Sequence, residues 1–143
     1  MADIVTTTIL ENGPKRAVMC FTNYSDGTGE SGVVKVNATS TGPLGVNIGG
    51  TLFYAGVHLE IVDLHYDVRS MGLRLQWQAT TPTDILILGG FGHWPLRDMR
   101  GGFQGLVNPN ATGATGSILF STVNANNYAS YTVVLSMVKG IQQ

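Results

Sequence analysis

Charge is scarce in this sequence. Asp, Glu, Lys and Arg make up 12% of its 143 residues, about half the roughly 25% of an average soluble domain. Eight basic against nine acidic residues leave a net charge of -1. No basic run exists that could track a phosphate backbone, which excludes nucleic acid as an expected partner. Cysteine is nearly missing as well. The single Cys20 lies between Met19 and Phe21, so no disulfide framework is possible and the thiol reads as a small core residue. Long apolar runs are absent: nothing approaches the roughly 20 residues of a membrane helix, and MADIVTTTIL lacks the basic head and apolar stretch of a secretion signal. The expectation is a soluble chain with no membrane partner. Recognisable chemistry is the last absence. There is no G-x-S-x-G elbow for a nucleophile, and His58, His65 and His93 show no metal-site interval such as H-x-x-x-H. These absences predict no enzyme, no cofactor and no metal site, and a fold indifferent to chelators.

Glycine, by contrast, is abundant, with 19 residues. In SDGTGESG, Gly27, Gly29 and Gly32 have the spacing G-x-G-x-x-G. A dinucleotide loop needs a strand before it and a helix N-terminus after it. Here the flanks are AVMCFTNY and VVKVNATST, both rich in strand formers. The stretch therefore reads as a loop between antiparallel strands.

Apolar residues recur at i, i+2 rather than i, i+3, i+4, which is the period of strands. In MGLRLQWQATT, residues 71–81, Leu73, Leu75, Trp77 and Ala79 face one way and Arg74, Gln76 and Gln78 the other. In LEIVDLHYDV, residues 59–68, the phase slips by one between Ile61 and Val62, which predicts a β-bulge. Joined by RSMG, with Gly72 as turn residue, these two segments are expected to form a hairpin. Further strands are predicted at 3–10, 15–24, 32–39, 50–55, 84–88, 117–123 and 129–139, separated by turn-rich spacers such as TSTGPLG and NPNATGATG. About eight or nine short strands in one domain spanning residues 1–143 imply an all-β sandwich or jelly roll. A domain of this length buries roughly 70% of its unfolded surface, which needs no staples.

Asp63 and Asp67 flank His65 on one strand face and read as solvated polar groups. The sequons at Asn23, Asn37 and Asn110 carry no weight without a secretory context. The segment GGFGHWPLRDMRGGFQGL, residues 89–106, combines Phe91, His93, Trp94 and Phe103 with Arg97 and Arg100 in what reads as a glycine-rich loop. Aromatic residues and arginine are the types that anchor interfaces. A surface poor in charge suits assembly with other protein, and rotational closure of strand edges predicts a homo-oligomer, a trimer or larger.

The opening IVTTTILENGPKR followed by AVMCFT, then SGVVKVN, DLHYDVRSMGLRLQWQATT, GGFQGLVNPNATGATGSILFST and YTVVLSMVK, resembles small virion structural proteins of tailed bacteriophages. The resemblance runs in order through nearly the whole chain. It implies a head decoration or cement protein: a β-sandwich made in the host cytoplasm, sitting as trimers on the outer capsid surface and bridging major capsid protein subunits. Phe91, His93, Trp94, Arg97, Arg100 and Phe103, with Ile4 and Val5 on the first strand, are the expected interface residues. The alternatives are another virion part, such as a tail or fibre component, and a carbohydrate-binding module stacking sugars on Trp77 or Trp94.

Overall fold

A computed structural model describes residues 3–13, 16–94 and 106–139. Ten strands are formed: β1 (Ile4–Asn12), β2 (Arg16–Asp26), β3 (Val33–Val36), β4 (Val46–Ile48), β5 (Thr51–Phe53), β6 (Leu59–Trp77), β7 (Thr83–Trp94), β8 (Leu106–Val107), β9 (Ile118–Val123) and β10 (Asn127–Lys139). One 3-10 turn, Gly56–His58, precedes β6, and no α-helix occurs among the described residues. β4 and β5 form a small separate hairpin. The other eight strands make one antiparallel sheet in the order β1-β2-β10-β6-β9-β3, with β7 and β8 also on β6. This sheet curls until it is nearly closed into a barrel. The all-β reading of the sequence holds, with facing parts of one sheet serving as its layers.

Strand β6 is the reason the sheet can curl. Its first half pairs with β10 from Leu59 to Arg69, and its second half with β9 from Gly72 to Trp77. The predicted hairpin at RSMG is therefore corrected: the chain does not reverse there but continues. Ser70, rather than Gly72, takes the positive φ, at 61°. Opposite it, the register on β7 jumps from Val68↔Gly90 to Leu73↔Leu88. Four residues of β6 thus face one of β7, an irregularity that bends a strand and increases its twist. The hairpin partner of Leu73–Trp77, on the side away from β9, is β7, reached through the turn at residues 78–82.

The bulge predicted between Ile61 and Val62 is present. Met137 pairs with Ile61 and Ser136 with Asp63, so Val62 has no opposite number. The extra residue resets the parity of the strand. Leu59 and Ile61 point into the core before it, Leu64 and Val68 after it, and Asp63, His65 and Asp67 are turned outward.

Alternation on the central strands supplies the core. Met19 and Phe21 of β2, Tyr131, Val133 and Leu135 of β10, and Ile118 and Phe120 of β9 are buried together. Phe120 sits between Phe21, at 4.9 Å, and Tyr131, at 6.0 Å, with tilted rings. Each large side chain so buried contributes about 2 kcal/mol. Trp77 belongs to the same core and is only 3% exposed. At one end, the buried Lys139 ammonium donates to Gly13 O at 2.8 Å, Leu44 O at 2.6 Å and Asn12 Oδ1, tying β10 to the β1–β2 turn and the loop at 39–45. Burial lowers its pKa. The donors of the ammonium are matched by acceptors, as a charge held away from water requires.

Candidate functional site

The glycine loop between β2 and β3 is a closed structural clasp. Gly27, Gly29 and Gly32 all take positive φ, and β3, not a helix, follows. Asp3 reaches into the loop from the start of β1. Its Oδ1 accepts hydrogen bonds from the Ser25 hydroxyl at 3.1 Å and from the N–H groups of Asp26 and Gly29, each at 3.2 Å, and its Oδ2 accepts from Asn23 Nδ2 at 3.0 Å. Partial burial raises the Asp3 pKa, but these four donors outweigh it and hold the carboxyl below its ordinary value.

Beside it, Glu30 Oε1 accepts from Asn23 Nδ2 at 2.8 Å and from the Tyr131 hydroxyl at 2.5 Å, while Glu30 Oε2 meets Lys35 Nζ at 2.6 Å. Burial and then the neighbouring Glu30 push the Tyr131 phenol far upward, so it remains a donor. Glu30 is thus held by three partners within the fold.

A second polar cluster lies open on the outside of β6 and β7. His65 is directly opposite His93 in the register, and Asp67 is opposite Phe91. The two imidazoles stack with centroids 3.8 Å apart and planes within 4°. His93 Nε2 lies 2.6 Å from Asp63 Oδ1, which also accepts the Leu64 N–H at 2.8 Å. One ligand atom from each of Asp63, His65 and His93 lies within 4.8 Å of the others. The expectation that the histidines do not meet is corrected for this pair, because strand pairing, not sequence interval, brings them together. His58 stays apart, in the 3-10 turn. A depression of about 530 Å³ adjoins the cluster, walled by Tyr66, Asp67, Phe91 and Thr132.

The reading of residues 89–105 as a loop is also corrected in part. Gly89 to Trp94 complete β7, while Arg97, Arg100 and Phe103 lie outside the described residues. Glycine is tolerated in this strand for a packing reason. A Cβ on Gly92 would come 2.8 Å from the Tyr66 hydroxyl, so the ring of Tyr66 occupies the side-chain space across the ladder. Phe91 is 81% exposed and Trp94 40%. They do not form one patch: Phe91 shares the outer face with His93, whereas Trp94 pairs with the buried Leu64 on the opposite face. Ile4 and Val5 are divided in the same way, opposite the exposed Tyr24 and the buried Asn23.

The expected interface residues are united by edges rather than faces. Among the described residues β1 pairs only with β2, and all nine of its residues are exposed. Ile4, Val5, Ile9 and Leu10 are the apolar ones. Among the described residues β7 likewise pairs only with β6. Sequence reasoning missed the Asp63–His65–His93 cluster because it assigned His93 to a loop. The alternation of Phe91 and His93 with Gly90 and Gly92 was the available signal. No family model, curated protein or solved structure matches this chain.

Proposed function

We propose that this chain is a head decoration protein of a tailed-bacteriophage virion, one that binds the outer capsid surface and ties neighbouring major capsid protein subunits together without chemistry of its own. The observation that supports this reading is the pair of strand edges left unpaired among the described residues. An open edge bearing apolar side chains is a template for pairing with other chains, and soluble proteins normally blunt or cover it. On β1 the backbone donors and acceptors of the free edge stand beside Ile4, Val5, Ile9 and Leu10, with Glu11 as its one charged residue. On β7 the free edge carries Ile87 and Phe91. Two such edges let one copy engage two neighbours, either sister subunits in a trimer or capsid subunits. Many copies of a modest contact, each of roughly 800 Å² per partner, then act together on the shell.

The test is to mix the purified chain with expanded heads that lack it and to measure bound copies by sedimentation and gel densitometry. Saturation at many copies per head is expected, with occupancy reduced at least tenfold by Ile4→Ser combined with Leu10→Ser. Failure to sediment with heads, or wild-type occupancy in the double variant, overturns the reading. A handful of copies per virion identifies a tail or fibre part instead. The sugar-binding alternative is weakened by Trp77, which is core, so it rests on Trp94 alone. Glycan binding lost on Trp94→Ala, without binding to heads, would establish it.

A further inference from the structure

We propose that Asp63, His65 and His93 form a binding site for a first-row divalent cation, Zn²⁺ above all, which staples β7 to β6. The proposal is independent of the virion reading, since it concerns the isolated chain.

Three features carry it. The first is ligand chemistry: two imidazole nitrogens and one carboxylate oxygen suit zinc and its neighbours, while calcium and magnesium require a set made of oxygens. The second is rigidity. His65 and His93 are paired residues on adjacent strands, and Asp63 is two residues from His65 on the same face. The bulge at Val62 creates that arrangement by turning Asp63 outward. The Leu64 N–H bond to Asp63 Oδ1 anchors the carboxylate from behind and leaves Oδ2 available. The third is availability. Among the described residues the His65 imidazole makes no hydrogen bond to protein, and His93 Nε2 already points at the carboxylate. A cation can take the place between Asp63 Oδ1 and His93 Nε2, which already face each other.

The dimensions require a small rearrangement. Ligand atoms around tetrahedral zinc are roughly 3.4 Å apart, given metal–ligand distances of about 2.0–2.1 Å. The widest separation is at most 4.8 Å and closes by under ~1.5 Å, while Asp63 Oδ1 and His93 Nε2, now 2.6 Å apart, open by under ~1 Å. A metal lies in the plane of each imidazole that binds it, and two parallel rings 3.8 Å apart share no such point. Binding therefore unstacks the rings by rotation about the Cβ–Cγ bond. Both side chains are exposed, so little opposes this. Water from the adjoining depression would fill the fourth position, as at other sites with three protein ligands.

The experiment is calorimetric titration of the tag-free full chain with ZnCl₂, paired with Co²⁺ absorption, which reports coordination number. The expected result is one ion per chain with micromolar affinity and a four- or five-coordinate cobalt spectrum. His93→Ala and His65→Gln should each weaken binding at least tenfold, and His58→Ala should leave it unchanged. His65→Gln is placed at an exposed side chain without hydrogen bonds, so an unaltered circular dichroism spectrum shows that lost binding is not lost folding. No binding at 1 mM Zn²⁺, or binding that survives both His65→Gln and His93→Ala, overturns the proposal.

Discussion

Two clusters of titratable side chains among the described residues are opposites. Around the glycine loop, Asp3 and Glu30 point among donors, and both carboxylate oxygens of each residue accept at least one hydrogen bond. On the outside of β6 and β7, Asp63, His65 and His93 stand in solvent with lone pairs to spare. The same residue types serve different ends because of where strand parity puts them. Asn23 and Tyr131 face inward and bring the first cluster to the rim of the core, where an unmatched charge would be costly. The parity change at Val62 puts the second cluster outside, where an unmatched lone pair costs little and remains available to a ligand. Closed clusters belong to folding; open ones can belong to binding.

The most severe way to break the closed cluster is Glu30→Ala. It removes the acceptor for Tyr131 and Asn23 and leaves the Lys35 ammonium, whose side chain is 5% exposed, without its carboxylate. Removing one member of a largely buried ion pair costs about 3 kcal/mol or more. The expected result is a melting temperature lower by roughly 10 °C, measured by calorimetry, with Lys35→Met restoring part of it in the double variant. A loss below about 1 kcal/mol would mean that water replaces the carboxylate and that the cluster is not closed.

How much of this could be read from the sequence follows from the physics of each element. Strands β2 and β10 were legible because one face is core and the other is wetter, so period 2 is written into their residues. The bulge at Val62 was legible for the same reason, since an extra residue must shift the phase. The break at RSMG was misread because a wide bulge and a hairpin turn demand the same local chemistry: a positive φ and small or polar residues. Whether the chain reverses is decided by long-range pairing with β9 and β10, which the local sequence does not record. The second half of β7 was hidden by its glycines, whose missing side chains are replaced by Tyr66 from the neighbouring strand. Asp63 and His65, two of the three members of the outer cluster, were visible from alternation. The third, His93, depended on a register.

A gentler test of the closed cluster uses pH. Asp3 has a folded-state pKa below its unfolded value, so its contribution to stability is complete above the unfolded pKa of about 3.9 and is lost as pH falls through the lowered folded value. Asp3→Asn replaces an acceptor of four hydrogen bonds with a group that must point a donor at one of those partners. A deficit of about 1 kcal/mol is expected, because Asp3 lies at the partly exposed edge of the cluster, where water screens its charge. In urea titrations this gap should hold constant from pH 7 to 5 and close below pH 4, as the wild-type carboxyl takes up its proton. A gap that persists at the lowest pH where both fold would show that geometry, not charge, makes the clasp.

The smallest expected effect gives the comparison its sharpest form. His65→Gln removes an exposed imidazole that hydrogen-bonds to no described residue and stacks on another exposed imidazole. Aromatic pairs contribute about 0.5–1.5 kcal/mol beyond their area in favourable geometry, and a solvated pair belongs at the bottom of that range. Glutamine keeps a polar group of similar reach on the strand and leaves the ladder from His65 to Val134 and His93 intact. In EDTA the melting temperature should therefore stay within about 2 °C of wild type, since a change of about 0.5 kcal/mol moves a domain of this size by no more. Addition of Zn²⁺ should then raise the wild-type midpoint and leave the variant where it was, because only the wild type gains a ligand that binds the folded state. If His65→Gln in EDTA instead falls as far as Glu30→Ala, the outer cluster is part of the frame of the fold, and the distinction between a closed cluster that folds the chain and an open one that binds fails at the residue on which it depends most.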